Sequence, residues 1–333
     1  MSNEPAEDRM DRVFRIGTRG SGLALAQTGQ IAERLRVGGV RVEIEVITTR
    51  GDARGNLPVA ALGIDGVFVR ELERALHDGR IDIAVHSLKD LPTADVEGLE
   101  VAAVPERAVP FDALVGRDGD TLDNLPAGSV VGTSSIRRIM QVKALRPDLE
   151  VRPVRGNVDT RLGRLDQGDY RCLILAAAGL ERLGLGHRIT RLLSPPDFWP
   201  AVGQGALALQ IRADDTEAGQ AVTLLDHPAT HAAVAAERSC LGALSGGCLA
   251  PVGGWARLDS AGGFVLGARV LESVAGGIRE VTVERSEPAG RWHLVGSDQS
   301  VHNTARLLGK RVAEDLLAAG AGEMLARMRA EAE

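Results

Sequence analysis

At a rough prior of about 150 residues per domain, the 333 residues make two to three domains and exclude a single small module. Hydrophobic residues at 44% and charged residues at 25% exclude a disordered chain, and aromatics at 3% leave few platforms for stacking bases. A net charge of -6 argues against a broadly basic nucleic-acid or anionic-membrane surface, so any anion must be held locally.

The opening MSNEPAEDRMDR is polar and acidic without an apolar stretch, and residues 1–13 read as a frayed tail, not a secretory signal. No apolar run approaches the roughly 18 residues of a membrane span. Three cysteines (Cys172, Cys240 and Cys248) without an export signal fit a reduced, cytoplasmic protein free of structural disulfides. Phe14 to Thr18 reads as a strand running through Arg19-Gly20-Ser21-Gly22 into an amphipathic helix with Leu23, Leu25, Ile31 and Leu35. Val42, Ile44 and Val46 alternate with Glu43 and Glu45 as a second strand. Residues 53–66 carry three glycines and no period, which reads as a mobile loop.

A helix over 67–78 leads through Gly79 to a strand with Ile81, Ile83 and Val85, ending in His86-Ser87-Leu88-Lys89-Asp90. His86 reads as a structural residue at a strand end. A strand at 129–132, the turn Thr133-Ser134-Ser135 and a helix from Ile136 to Leu145 repeat the style, followed by a strand near 149–154 and a helical stretch carrying Arg161. Cys172 to Ala178 is a continuous apolar run, consistent with a strand covered on both faces of a parallel sheet. Strands alternating with helices give an α/β architecture. After about Pro228 the order changes to an Ala-rich helix over 229–244, the glycine-rich Ser245-Gly246-Gly247-Cys248, strands near 253–258, 263–271 and 279–285, and one long helix over about 303–331. This order fits a separate α+β domain. No convincing tandem repeat is visible.

Arg137 and Arg138 fall in the first turn of their helix, where the macrodipole disfavours cations, so something must compensate. With Thr133, Ser134 and Ser135 before them they read either as an anion site or as a solvated arginine pair beside an ordinary cap. Arg19 with Ser21, and Arg155-Gly156-Asn157, repeat the arrangement at two other turns, and open α/β sheets bind ligands at such strand ends. Of the 39 basic residues only Lys89, Lys143 and Lys310 are lysines, so Lys89 at a strand end suggests a need for a compact ammonium. Asp90 beside it reads as a general acid/base, as a stabiliser of a developing cation, or as half of a surface ion pair. Cys248, after two glycines, reads as an attachment point; Cys172 and Cys240 read as small buried hydrophobes. No cysteine spacing suggests zinc, and no metal site is expected.

The stretches RIGTRGSGLALAQ, HSLKDLPT, VGTSSIRR, VRGNVDTRL, AAAGLERLGL, AVGQGALAL and SGGCLAPVGG together resemble the porphobilinogen deaminases, also called hydroxymethylbilane synthases, from about Arg15 to Leu325. The resemblance implies two α/β lobes like those of periplasmic binding proteins, plus a small α+β C-terminal domain. Its boundaries put domain 1 at 14–106 and about 204–224, domain 2 at 107–203 and domain 3 at 228–333. It implies a dipyrromethane cofactor on Cys248 by a thioether, onto which four porphobilinogen units condense with loss of ammonia before a linear tetrapyrrole is released. Asp90 matches the family's catalytic aspartate. Cofactor and substrate binding is implied for Arg19, Ser21, Gln27, Asp52, Phe68, Lys89, Thr133, Ser134, Ser135, Arg137, Arg138, Arg155, Gly156, Arg161, Arg182 and Gln204. Relatives often carry lysines in the loop before the Phe68 helix, where this chain has Ala61 and Asp65. Porphobilinogen and the growing polypyrrole chain are the implied partners of a monomer, with no nucleic acid or membrane. The competing reading is a non-catalytic, two-lobed small-anion binding protein.

Overall fold

The computed structural model describes residues 12–47, 67–117, 119–244, 250–288 and 299–331. The chain forms two compact units: one from 1–86 with Asp95–Val104 and Ala208–Asp226, the other from Ser87–Ala94 with Pro105–Leu207 and His227–Glu333. Among the described residues no helix is long and apolar enough to cross a membrane.

In the first unit, β1 (Val13–Thr18) pairs in parallel with β2 (Arg41–Val46) and with β3 (Ile83–Ser87), in the sheet order β2-β1-β3-β10-β4. β10 (Leu207–Arg212) runs antiparallel to β4 (Leu99–Ala103). Phe14 and Ile16 are buried inward-facing positions of β1, which is why this segment holds as a strand. Ser21 starts α1 (Gly22–Val37) by accepting a 3.3 Å hydrogen bond from the Ala24 amide. Leu72, Ala75 and Leu76 of α2 (Val67–His77) pack against Ile47, Ile81 and Leu99. His86 is buried, with Nε2 2.9 Å from Gln210 Oε1, and burial pushes its pKa down to about 4. It is a neutral, structural histidine, as the sequence suggested.

The second unit holds two sheets. The first has the order β7-β6-β8-β5-β9: β6 (Val130–Gly132) pairs in parallel with β7 (Glu150–Arg152) and β8 (Cys172–Ala176), while β5 (Asp112–Gly116) lies antiparallel to β8 and β9 (Arg191–Leu193). α3 (Ile136–Leu145) and α4 (Val158–Asp166) make the crossovers, and α5 (Ala177–Arg182) follows β8. Both five-stranded sheets thus have three parallel strands extended by an antiparallel pair, a repeat of topology that the residues themselves do not spell out. Both sheets are mixed, not parallel throughout. The apolar run from Cys172 also divides, with Ala177 and Ala178 opening α5 instead of extending the strand. Cys172 is buried and its thiol pushed up to about 12 by burial, in keeping with a packing role.

The other sheet is the antiparallel meander β11 (Val252–Leu258), β12 (Phe264–Val274) and β13 (Gly277–Glu287). α6 (Thr216–Thr223) belongs to the first unit, whereas α7 (Pro228–Ala243), α8 (Gln299–Leu316) and α9 (Gly322–Ala330) belong to the second. Phe264, Leu266, Ala268 and Val270 of β12 share a core with Ala232, Ala236 and Cys240 of α7 and with Ala305, Leu308 and Val312 of α8. The single long C-terminal helix expected from the sequence is two helices. A π turn over Leu317–Ala321 divides them, with Gly320 at φ 102°, a conformation glycine adopts without the Cβ penalty.

α7 and α8 lie close together at Gly309, where an added Cβ would lie 2.3 Å from the Ala236 carbonyl oxygen and 2.9 Å from the Cys240 amide nitrogen. Both neighbours are main chain and cannot rotate away. Gly309→Ala is therefore expected to destabilise the protein by about 1–3 kcal/mol, despite alanine's better helix propensity. Denaturant unfolding checks this; a stabilised variant would show that the contact can relax.

Candidate anion-binding site

The second unit gathers Lys89, Asp90, Thr133 to Ser135, Arg137, Arg138, Arg155, Gly156, Arg161, Arg182 and Gln204. β6 ends at Gly132 and turns through Thr133, Ser134 and Ser135 into α3, so Arg137 and Arg138 stand in the helix's first turn. Both are buried, with 4% and 7% of their surface exposed. The compensation that the helix dipole demands comes from Asp112, at the first position of β5. Its Oδ2 accepts from Arg137 Nη1 at 2.7 Å, and its Oδ1 accepts from Arg138 Nη2 at 2.6 Å and Nε at 2.9 Å. Gln204 Nε2 donates to the same Oδ1 at 3.0 Å and to the Pro110 carbonyl at 2.8 Å. Arg137 also donates to the Trp199 carbonyl, and Arg138 to that of Ile174 at 2.9 Å. Burial alone would raise the Asp112 pKa, but the two guanidiniums hold it far below the usual carboxylate range. Burial pushes Arg137 down from its ordinary value, against the pull of Asp112.

Lys89 and Asp90 occupy a short 3-10 turn, Leu88–Asp90, directly after β3. Asp90 is exposed and Lys89 half-buried. Burial pushes the Lys89 ammonium down from its ordinary value; Asp90 and Asp112 oppose that shift, while Arg138 and Arg137 add to it. Arg161 is likewise lowered, by burial and then by Arg138. Lys89, Arg137 and Arg161 thus each feel Arg138, in a neighbourhood with two carboxylates, Asp112 and Asp90.

The remaining positions divide. Ser134 donates its hydroxyl to the Val154 carbonyl at 2.8 Å and accepts from the Val154 amide at 3.1 Å, so it fastens the turn to the segment just after β7. Thr133 Oγ1 accepts from the Ser135 amide at 3.3 Å, whereas the Ser135 side chain makes no cap bond to α3. Arg155 is exposed, and Gly156 sits at φ 99° with Thr160 where a Cβ would be. Asn157 caps α4 through the Thr160 amide at 2.9 Å, and Arg161 Nε donates to the Gly156 carbonyl at 2.8 Å. Arg182, at the end of α5, donates to the Gly205 carbonyl at 2.7 Å, and burial lowers its pKa.

Arg19, Ser21 and Gln27 belong to the first unit: Arg19 is half-buried, the Ser21 hydroxyl caps α1, and Gln27 is buried within it. Phe68 lies in the first turn of α2, and only its backbone is described. Cys248, Asp52, and the loop with Ala61 and Asp65 lie outside the described residues. Sequence reasoning missed Asp112, although an acid inside the apolar PFDALVG was a signal that a buried partner exists. Among the described residues no cluster of three or more histidine, cysteine or acidic side chains could hold a metal.

This is a mixed α/β protein with a concentrated cation cluster at strand ends. The family model "Porphobilinogen deaminase, dipyromethane cofactor binding domain" matches residues 14–220. The porphobilinogen deaminase of Syntrophobacter fumaroxidans is 44% identical over 95% of this chain and 97% of its own. That of Desulforudis audaxviator is 46% identical over 97% of this chain and 100% of its own, and that of Acidothermus cellulolyticus is 45% identical over 94% and 91%. Among solved structures the methionine binding protein MetQ has a TM-score of 0.41 at 13% identity, over 63% of this chain and 90% of that one. The chain belongs to the porphobilinogen deaminase family.

The residues present fit a carboxylate-bearing cofactor of the kind the family model names. The half-buried Lys89 ammonium has no hydrogen bond to a described residue, the Ser135 hydroxyl is not engaged in capping, and the cluster retains an excess of positive charge. Asp112→Asn removes the anion that two buried guanidiniums share. Loss of one partner from such a pair is expected to destabilise the fold by about 3–5 kcal/mol. Equilibrium unfolding at neutral pH checks the value, and a change below about 1 kcal/mol would mean the arginines find another counterion.

Proposed function

We propose that this protein is a transferase that condenses four porphobilinogen molecules head to tail, with loss of ammonia at each addition, and releases the linear tetrapyrrole hydroxymethylbilane by hydrolysis. Family membership supports the reaction class. The observation that carries the assignment of the site is the cation excess surrounding a turn that presents an exposed carboxylate, Asp90.

Each substrate brings an acetate and a propionate. Lys89, Arg137, Arg138 and Arg161 match them in charge, with Arg155 and Arg182 as further contacts and the Ser135 hydroxyl as a polar one, while Gln204 holds Asp112. Arg19 serves as a carboxylate contact on the first unit's own strand-to-helix turn, where the Ser21 hydroxyl caps α1. In each addition the carbon–nitrogen bond of the aminomethyl group breaks, ammonia leaves, and positive charge develops over the pyrrole and its methylene. The Asp90 carboxylate stabilises that charge. After the new carbon–carbon bond forms, the attacked carbon loses its proton, and Asp90 is the base that accepts it. A dipyrromethane held by a thioether to Cys248 supplies the pyrrole carbon from which the chain is extended.

Intact mass tests the reading. The purified protein should be heavier than its sequence by a two-pyrrole unit, Cys248→Ser should lose that mass, and Cys240→Ser should keep it, since Cys240 is buried with its thiol pushed up to about 12. Unmodified wild-type protein that binds porphobilinogen without turning it over would instead identify a non-catalytic anion binder.

Asp90→Asn keeps the size of the side chain and removes its charge. Turnover of porphobilinogen should fall by about two orders of magnitude or more, with little change in melting temperature, since the group is exposed and acts on developing charge. Asp90→Glu should retain part of the activity. A stable Asn variant with near wild-type turnover would remove Asp90 from the mechanism.

A further inference from the structure

The turn that carries Asp90 is held by a helix that contributes no group to the anion cluster. Leu88–Asp90 is a single 3-10 turn, closed by the Leu91 amide donating to the Leu88 carbonyl at 3.1 Å. Such turns have poorer hydrogen-bond geometry than an α-helix, so their flanks decide how rigid they are. On the entering side the Leu88 amide donates to the Ala206 carbonyl at 3.1 Å, and Gly203, at φ 71°, lets the main chain lie against the Leu88 side chain. On the leaving side stands Pro92, which has no amide hydrogen to donate, so that end can be anchored there only through carbonyl oxygens.

Arg238, half-buried on α7, supplies that anchor. Its Nη1 donates to the Leu91 carbonyl at 2.9 Å and its Nη2 to the Pro92 carbonyl at 2.6 Å. One planar fork thereby fixes two consecutive peptide units immediately after Asp90. Gly242, one helical turn further along the same face of α7, lies against Thr93. Three successive residues beyond the turn are thus set by one helix face.

We propose that Arg238 is a positioning residue for Asp90, acting through the main chain of residues 91 and 92; the inference rests on the role given to Asp90 above. The two bonds run to carbonyl oxygens, so their effect on Asp90 is geometric. Releasing the fork lets the Leu88–Asp90 turn sample other positions, and a displacement of about 1 Å in a catalytic group can lower a rate about 100-fold.

The test compares wild type, Arg238→Met and Arg238→Lys in the full-length, cofactor-loaded protein, reading steady-state turnover of porphobilinogen together with hydrogen exchange of the peptide spanning 87–94. Arg238→Met should lower kcat about 10- to 100-fold with KM nearly unchanged, and speed exchange in 87–94 while β8 and β12 keep their protection. Arg238→Lys keeps the charge but offers a point donor in place of a fork, so it should recover only part of the loss and leave exchange in 87–94 raised. Unchanged exchange in 87–94 with normal kcat in Arg238→Met would overturn the proposal, and so would complete rescue by lysine, which would assign the effect to charge. If Arg238→Met fails to fold, Arg238→Lys carries both readouts. If wild type makes no tetrapyrrole, the proposed function fails, and exchange alone then decides whether Arg238 holds the turn.

Discussion

Asp112 is the constraint on which the site depends. Two adjacent arginines at the positive end of a helix repel the dipole and each other, and both are withdrawn from water. A carboxylate bonded to both resolves that conflict, and it must come from a neighbouring strand because α3 has no acid in its first turn. β5 supplies it by running antiparallel beside β8, with Asp112 in register with Ala176 on one side and Leu193 on the other. The bond from Arg138 to the Ile174 carbonyl ties the same helix to β8. Pairing of β5 with β8 therefore both completes a sheet and places the counterion.

Stability alone does not require such a construction, since well-packed apolar side chains of similar volume often serve a core as well as a buried ion pair does. What an apolar replacement would not leave behind is excess positive charge. One carboxylate shared between two guanidiniums neutralises only half of their charge. That remainder, with Lys89 and Arg161 close enough for Arg138 to lower both from their ordinary values, is what a carboxylate-rich ligand would meet in an otherwise acidic protein.

Legibility in the sequence followed the range of the forces involved. α3 was readable to its ends because Ser135 and the apolar period define it locally, and so were the turns that carry Arg19, Arg137 and Arg155. β4, β5, β9 and β10 were not read as strands: they are three to six residues long, and their pairing joins distant parts of the chain. The run from Cys172 to Ala178 is apolar without a period, so composition could not show where strand gave way to helix. The break at Gly320 lies in a sequence of leucines and alanines with high helix propensity, and one glycine there lowers confidence without stopping a helix. At the site, sequence cannot separate a hydroxyl that faces a ligand from one that serves the backbone. Ser21 and Ser134 turned out to be bonded to the main chain; Ser135 is not bonded as a cap.

The hydrogen bonds of α7 tie the α+β part of the second unit to the cation cluster and to the Asp90 turn. Glu237 is fully buried, and its oxygens accept from Arg107 Nη1 at 2.6 Å and Nη2 at 3.1 Å, from the Gly203 amide at 2.7 Å and from the Ala256 amide at 2.9 Å. Arg107 in turn donates Nε to the Gln204 carbonyl at 2.8 Å. One carboxylate on α7 thus joins the segment before β5, the segment before β10 and strand β11. Gln204, held in this way at its main chain, is the residue whose side-chain amide completes the shell of Asp112. Its neighbour Gly203 packs on Leu88, the first residue of the Asp90 turn. Glu237 and Arg238, adjacent on one helix, therefore reach the anion cluster and the carboxylate turn by separate routes. Arg238 acts through the Leu91 and Pro92 carbonyls, and Glu237 through the Gly203 amide and, by way of Arg107, the Gln204 carbonyl, so neither α7 side chain occupies a side chain of the cation cluster.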